Sequence, residues 1–470
     1  MPPQDHAENV ANTLKIIRCI TFLVDTPGFF FWTSLMANSP YELCLEKIYK
    51  LGRFGIKLEL DTILNILSQL NTPQDNYSMI HVAGTNGKGS TATCIASILR
   101  AAGFKTGIYT SPHLVRFNER ICVNGQQISD ADVVSAYEAV DAADNGLRPA
   151  TFFEIVTAMA FYHFAQEKVE WAIIETGMGG RFDATNIITP QVSVITNLSI
   201  EHAEYLGHTI RDLAREKGGI IKSGVPAVTA VSQPSGIDRL SKIAKDQGAL
   251  LYRFKKEFSI RKTPGQTTYN YKGIYQNFKG LTKPLSGEHQ RENLSLALAA
   301  VELVFEQNQI TDPRYKLTQE VVHKGLAQVN WPGRLEKIMD RPLVILDGAH
   351  NFKACVLLGK YLNQTLGDKK LTLIIGILDD KPYEAMLAQL LPRAQRVILT
   401  KAKINRSIEP AILTAAVKKI FKGDLQVIED VKDAVSHAIS TSYDDDAICI
   451  SGSLYVAGEA KEKFDMDFIN

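Results

Sequence analysis

A chain of 470 residues is longer than one ordinary hydrophobic core supports, so two domains are expected. Its 52 basic residues against 51 acidic ones leave no net field to draw in nucleic acid or an anionic membrane, which favours a small-molecule site. Six cysteines (Cys19, Cys44, Cys94, Cys122, Cys355 and Cys449), none in Cys-x-x-Cys spacing, exclude a zinc or disulfide framework and point to a reducing cytoplasm.

Near the start, residues 19–35 are rich in apolar side chains, but Asp25, Pro27 and Gly28 interrupt them. The run falls short of the ~18 to 20 apolar residues of a membrane span, so residues 1–36 are expected to be a non-core extension. Residues 41–70 have a helical pattern broken near Gly52 to Gly55. Residues 79–83 then read as an apolar strand, and 91–102 as a helix with Cys94, Ile95, Ile98 and Leu99 on one face and Gly103 as its stop. Short buried strands are expected at 171–174 and 192–196, and the alternation of Tyr, Thr, Lys and Gly over 250–283 suggests a small β excursion. After Trp331-Pro332-Gly333 the rhythm changes. Strands at 343–346, 371–377, 396–400, 425–428 and 447–450, with helical stretches between them, predict a separate parallel α/β unit. The boundary falls within 305–333, drawn at 320/321.

The densest chemistry lies in His81-Val82-Ala83-Gly84-Thr85-Asn86-Gly87-Lys88-Gly89-Ser90-Thr91, at the junction of a strand and a helix. Backbone N–H groups freed by glycines, a helix N-terminus and an ammonium together suit a polyphosphate. The usual phosphate loop has a glycine five residues before the Gly-Lys pair and a hydroxyl residue directly after the lysine; here Val82 and Gly89 stand at those places. A plain connecting turn would have no use for a lysine amid three glycines.

Open parallel sheets bind ligands at the carboxyl ends of their strands, and this chain puts polar groups there. Glu175 ends one strand ahead of Thr176-Gly177-Met178-Gly179-Gly180-Arg181, and Thr196-Asn197 ends the next, ahead of Glu201-His202. In the second unit a strand ends in Asp347-Gly348-Ala349-His350-Asn351, and another in Ser451-Gly452-Ser453-Leu454-Tyr455. Taken alone, His202 reads as a structural histidine, Lys217 as a solvated helix lysine and Arg334 as a surface arginine after a turn.

The phosphate-loop variant resembles that of the Mur ligase superfamily, and Val82-Ala83-Gly84-Thr85-Asn86-Gly87-Lys88-Gly89-Ser90 in particular resembles the folylpolyglutamate synthase and dihydrofolate synthase family. Further blocks in the family's order are Ser111-Pro112-His113-Leu114, Glu201-His202 (with Glu for the family's Asp), Glu216-Lys217-Gly218-Gly219, Gly287-Glu288-His289-Gln290, Pro332-Gly333-Arg334 and Asp347-Gly348-Ala349-His350-Asn351, where Phe352 replaces a proline. The resemblance implies an α/β fold: an N-terminal P-loop-type ATPase domain (37–320) with a mostly parallel sheet, and a smaller Rossmann-like C-terminal glutamate-ligase domain (321–470). It implies an ATP-dependent amide ligase that makes an acyl phosphate from a folate or pteroate acid and passes it to L-glutamate, as a cytoplasmic monomer without nucleic-acid or membrane partners. ATP would contact Gly84, Thr85, Asn86, Gly87, Lys88, Gly89, Ser90, Thr91, Asn293, Arg334 and Asp347. One or two magnesium ions would sit at Ser111, Glu175 and His202. Lys88, Lys217, Arg334 and His350 would serve catalysis, with Lys217 open to carbamylation. Phe117, Arg120, Phe153, His350, Ser451 and Ser453 would face folate or glutamate. At the pterin side Leu58-Glu59-Leu60-Asp61-Thr62-Ile63 lacks the glycine and arginine of the family's Leu-Gly-Leu-Glu-Arg-Ile, which leaves dihydropteroate and tetrahydrofolate both open.

Overall fold

The computed structural model describes residues 39–469 apart from 55–58, 147, 309 and 311; the expected extension at 1–36 lies outside the described residues. Helix α1 (Pro40–Lys50) starts from a capping box between Ser39 and Glu42, and α2 (Asp61–Gln69) follows a short 3-10 turn at Leu51–Phe54. Strand β1 (Ser78–Ala83) runs into the glycine-rich loop, and α3 (Lys88–Ala101) leaves it. The helix gives way to Gly103, whose φ of +98° suits only glycine well.

Seven further strands complete the first sheet: β2 (Thr106–Tyr109), β3 (Ile121–Val123), β4 (Gln126–Gln127), β5 (Trp171–Glu175), β6 (Val192–Ile195), β7 (Ala227–Thr229) and β8 (Leu251–Arg253), in the order β4-β3-β2-β5-β1-β6-β7-β8. Only the β2–β3–β4 edge is antiparallel. Because β1, β5 and β6 are buried on both faces, they read as continuous apolar runs. One face is covered by α1, α2, α4 (Asp130–Ala143) and α5 (Phe152–Gln166), through a core that includes Ile66, Val140, Met159 and Phe161. The short α6 (Ala203–Leu206), then α7 (Ile210–Gly218) and α8 (Pro234–Asp246), pack beyond β6, with Leu206, Leu213 and Leu240 buried together. The other face carries α3, α9 (Gln290–Asn308) and α10 (Gln319–Ala327).

The expected β excursion is an antiparallel sheet of β9 (Ser259–Lys262), β10 (Tyr269–Lys272) and β11 (Asn277–Leu281) that packs on α9. Glu302 of α9 is held beneath it because its carboxylate accepts from Tyr271 Oη (2.6 Å) and from the N–H groups of Ile274, Tyr275 and Gln276 (3.0, 3.2 and 2.7 Å). Helix α10 spans residue 320 and packs on α3: Ser97 Oγ donates to the Gly325 carbonyl at 2.7 Å, and Val322 and Leu326 enter the same core. The chain therefore crosses to the second sheet after residue 327.

That sheet comprises β12 (Glu336–Asp340), β13 (Leu343–Leu346), β14 (Leu371–Ile375), β15 (Arg396–Leu399), β16 (Asp424–Val427) and β17 (Ala447–Ser451), in the order β12-β13-β17-β14-β15-β16, all parallel except β12. Helices α11 (Phe352–Thr365), α12 (Tyr383–Leu390) and α13 (Pro410–Ile420) bury one face, and α14 (Val431–Ser440) and α15 (Leu454–Ile469) the other. Both sheets turn the carboxyl ends of β1, β5, β6 and β13 toward the crevice between the lobes. Among the described residues no helix is long and apolar enough to cross a membrane.

Candidate active site

The loop between β1 and α3 is pinned from β6. Thr196 Oγ1 and Asn197 Nδ2 donate to the Asn86 carbonyl at 2.7 and 2.8 Å, and Thr85 N donates to the Asn197 carbonyl at 2.9 Å. Gly87 has a φ of +85°, and a Cβ there would overlap the Asn293 amide; one on Gly89 would overlap the Trp331 ring. Those glycines bring backbone, amide and indole together at the cleft. Gly87 supplies no side-chain cap to α3, so no side chain takes the first N–H groups of the helix. Gln290 Nε2 reaches Ser90 Oγ at 3.3 Å, and Asn293 Nδ2 donates to Gln290 Oε1 at 2.8 Å.

Facing the loop, Glu175 ends β5, with Lys88 Nζ 3.8 Å from its carboxylate and Ser111 N donating to it at 3.3 Å. Burial pushes its carboxyl up to about 7 against the pull of Lys88. A carboxylate so poorly compensated fits a cation. His202, at φ +48°, lines the same cleft. Lys217 of α7 is 1% exposed; its Nζ donates to the Gly84 carbonyl at 2.9 Å and lies 3.3 Å from Glu201. Burial brings this amine down to about 8, with Glu201 opposing the shift.

The second lobe supplies Arg334, Asp347 and His350 to the opposite wall. Burial disfavours the charge on both Arg334 and Asp347, and each opposes that effect on the other. Asp347 also takes the N–H groups of Leu335 (2.9 Å) and Ala349 (3.0 Å). His350 Nδ1 donates to the Gly348 carbonyl at 2.8 Å, and burial holds its ring down at about 4, so Nε2 is unprotonated. Asn351 Nδ2 donates to Asn86 Oδ1 at 2.9 Å, a direct bond between the lobes.

Residues 82–301 match the Mur ligase middle domain and 333–454 the Mur ligase glutamate ligase domain. A folylpolyglutamate synthase of Lacticaseibacillus casei is 37% identical over 413 residues, 85% of this chain and 93% of that relative. The chain belongs to the folylpolyglutamate synthase/dihydrofolate synthase family. It is thus an ATP-dependent ligase of the Mur type, as the motifs implied. Among solved members, a Mycobacterium tuberculosis folylpolyglutamate synthase complexed with ADP has a TM-score of 0.83 at 32% identity, covering 91% of this chain and 99% of that one. A bifunctional Yersinia pestis member complexed with AMPPNP and Mn ion has a TM-score of 0.80 at 28% identity, covering 91% and 98%.

Against that family pattern, Lys88, Ser111, Glu175, His202, Asn293, Arg334, Asp347 and His350 line one cleft together with Thr85, Asn86, Gly87, Gly89 and Ser90. Gly84 does not line it, but carries the carbonyl that Lys217 holds. Thr91 is fully buried and does not line the cleft. Phe117, Arg120 and Phe153 form a neighbouring aromatic cluster: Phe117 meets His113, Phe153 meets Tyr109, and the Arg120 guanidinium lies 5.2 Å from the Phe152 centroid while its Nε donates to His113 Nδ1 at 2.8 Å. Among the described residues no carboxylate pairs with Arg120, although it is only 7% exposed. Ser453 is buried, and its hydroxyl accepts from Val456 N at 3.1 Å at the start of α15. Ser451, at the end of β17, is likewise buried, and its hydroxyl has no hydrogen-bond partner. Gln290, Trp331 and Asn197 emerge as site residues without an assigned role in the sequence; an amide directly after a strand end was the signal for Asn197.

Proposed function

We propose that this protein joins L-glutamate to the carboxylate of a folate-type acid, dihydropteroate, a tetrahydrofolate or both, with conversion of ATP to ADP and phosphate. The observation that carries the reading is the meeting of Lys88 and Glu175 from one lobe with Arg334 and His350 from the other, across a loop whose helix N-terminus is uncapped. The acid's oxygen attacks the terminal phosphorus, the bond to ADP breaks, and the α-amine of glutamate then displaces phosphate from the acyl carbon. Loop N–H groups and Lys88 cradle the transferring phosphoryl group, and Arg334 offsets the charge that builds as two anions meet. Asn293 and Asp347 are assigned to the nucleotide.

Glu175, His202 and Ser111 would hold magnesium, which supplies Lewis-acid neutralisation of phosphate charge when bound. Among the described residues no three His, Cys, Asp or Glu side chains form a metal cluster by themselves, which fits a hard cation that takes most of its ligands from phosphates and water. The ADP and the AMPPNP with Mn ion in solved relatives support ATP and a divalent cation here. Carbamylation of Lys217 is supported by its buried amine, held at about 8, since only the neutral amine adds carbon dioxide. Arg120, with Phe117 and Phe153 beside it, is assigned to the folate acid; His350 Nε2 positions the glutamate amine, and the Ser451 hydroxyl remains a candidate on the glutamate side. We take the ATP-binding unit to run from 37 to 327. Five described cysteines are unpaired, which supports a cytoplasmic setting; a monomer is proposed.

Phosphate release from ATP tests the reading. Release that requires both L-glutamate and an acid, measured separately with dihydropteroate and tetrahydrofolate, is the expected result. Release with neither, or none with any acid, overturns it.

A further inference from the structure

Beside the cleft lies a second chamber, bounded by the outer face of α3, the β2–β3 edge, residues 328–334 and α15. It is the larger of the two, about 550 Å³ against about 210 Å³. Pro112, Trp331, Arg334 and Leu454 belong to both walls, so the chambers adjoin. None of the roles assigned above uses this space.

Most of the charges in its wall are already matched. Arg116 pairs with Asp130 at 2.7 Å, and Lys461 with Glu336 at 2.9 Å and Asp465 at 3.4 Å. The Glu119 carboxylate takes the N–H groups of Leu114, Val115 and Arg116 at 2.6, 2.8 and 2.7 Å. Arg100 differs. Its guanidinium donates only to the Asn124 carbonyl at 3.0 Å and to Gln328 Oε1 at 3.5 Å, and among the described residues no carboxylate lies within ion-pair reach. Gly125, at φ +80°, leaves room for it, because a Cβ there would overlap the guanidinium. Seven residues earlier on the same helix face, Thr93 Oγ1 is buried with no hydrogen-bond partner. The chamber thus offers a cation without a counter-ion, an unused hydroxyl and the carboxamides of Gln127 and Asn330, next to the place where an acyl group reacts.

We propose that this chamber receives the oligo-γ-glutamyl tail of a lengthened folate, with Arg100 taking one tail carboxylate and Thr93 Oγ1 one tail amide. Such a tail is a series of carboxylates joined by amides, and it needs a positive anchor within an otherwise neutral polar wall. The inference rests on the folate-ligase reading.

The test compares wild-type protein with Arg100→Gln and Thr93→Val. Turnover is measured on folate acids carrying one and four glutamates, and calorimetry follows free γ-tetraglutamate binding to the full chain with ADP and magnesium. The expected result is a rise of about tenfold in KM for the four-glutamate substrate in Arg100→Gln, with the one-glutamate KM within about twofold of wild type. Binding of the free peptide weakens by a similar factor, and Thr93→Val produces a smaller shift in the same direction. Equal losses on both substrates, or an unchanged KM for the long one, overturn the proposal. Should neither substrate turn over, the ligase reading fails, and the chamber is then judged by the peptide alone: equal binding to wild type and Arg100→Gln, or none to either, overturns it.

Discussion

Two strand-to-helix junctions face each other across the cleft, and they treat their hydrogen-bond donors in opposite ways. Between β1 and α3 the residue at the helix start is Gly87, which has no side chain to offer, so no side chain caps the first turn of α3. Between β13 and α11, Asn351 accepts from Ala354 N at 2.9 Å, Asp347 takes two further N–H groups, and His350 Nδ1 is bound to its own turn. The same βα architecture therefore leaves its backbone donors uncapped at the junction proposed to seat phosphates and caps them at the other. The satisfied junction instead presents finished side chains, Asp347 and His350, in fixed orientations.

The largest expected effect comes from removing the charge that accompanies the uncapped donors. Lys88→Ala should lower turnover by ~10²-fold or more, the scale of losing one preorganised charge stabiliser. Near-normal turnover would break the assignment of the first junction to phosphate.

A second test concerns what holds the first junction from behind. Lys217→Arg keeps a cation near the Gly84 carbonyl but cannot form a carbamate, and turnover should fall by about tenfold. In wild-type protein, added bicarbonate should stimulate most above pH 8. Burial holds this amine at about 8, so the neutral fraction that reacts with carbon dioxide grows as pH rises through that value and shrinks below it. Stimulation independent of pH, or equal in Lys217→Arg, would remove carbamylation from the account.

The smallest effect sharpens the second junction. Asn351→Ala loses both the cap of α11 and the bond to Asn86, and should cost about 1 kcal/mol of stability, read as a fall of roughly 2 to 4 °C in the Tm of its lobe. Asn351→Asp keeps the capping oxygen and loses only the donor to Asn86, so its Tm should stay near wild type while KM for ATP rises about twofold to fivefold. If both variants melt alike, the cap contributes less than the bond between lobes.

These comparisons also separate what the sequence made legible from what it did not. The loop, the acid at the end of β5 and the Asp347 turn were readable because each is a local pattern at a strand's carboxyl end. The two parallel α/β units were readable from buried apolar runs. The antiparallel β3, β4 and β12 were missed because two to five residues at a sheet edge carry little periodicity. The bonds from Thr196 and Asn197 to Asn86, and from Asn351 to Asn86, span 110, 111 and 265 positions, so no local spacing reports them. Ser453 shows the same limit: a serine after a strand serves equally well as a ligand contact or as a cap, and local spacing does not report that its hydroxyl accepts from Val456 N.

The most direct test of the contrast between the junctions is the affinity for ADP with magnesium, measured by calorimetry in Gly87→Ala and His350→Ala. A Cβ on Gly87 meets both the positive φ and the Asn293 amide, so the account predicts affinity lost by about tenfold or more in Gly87→Ala and kept within about twofold in His350→Ala. Equal losses in the two variants, or a loss confined to His350→Ala, would contradict it.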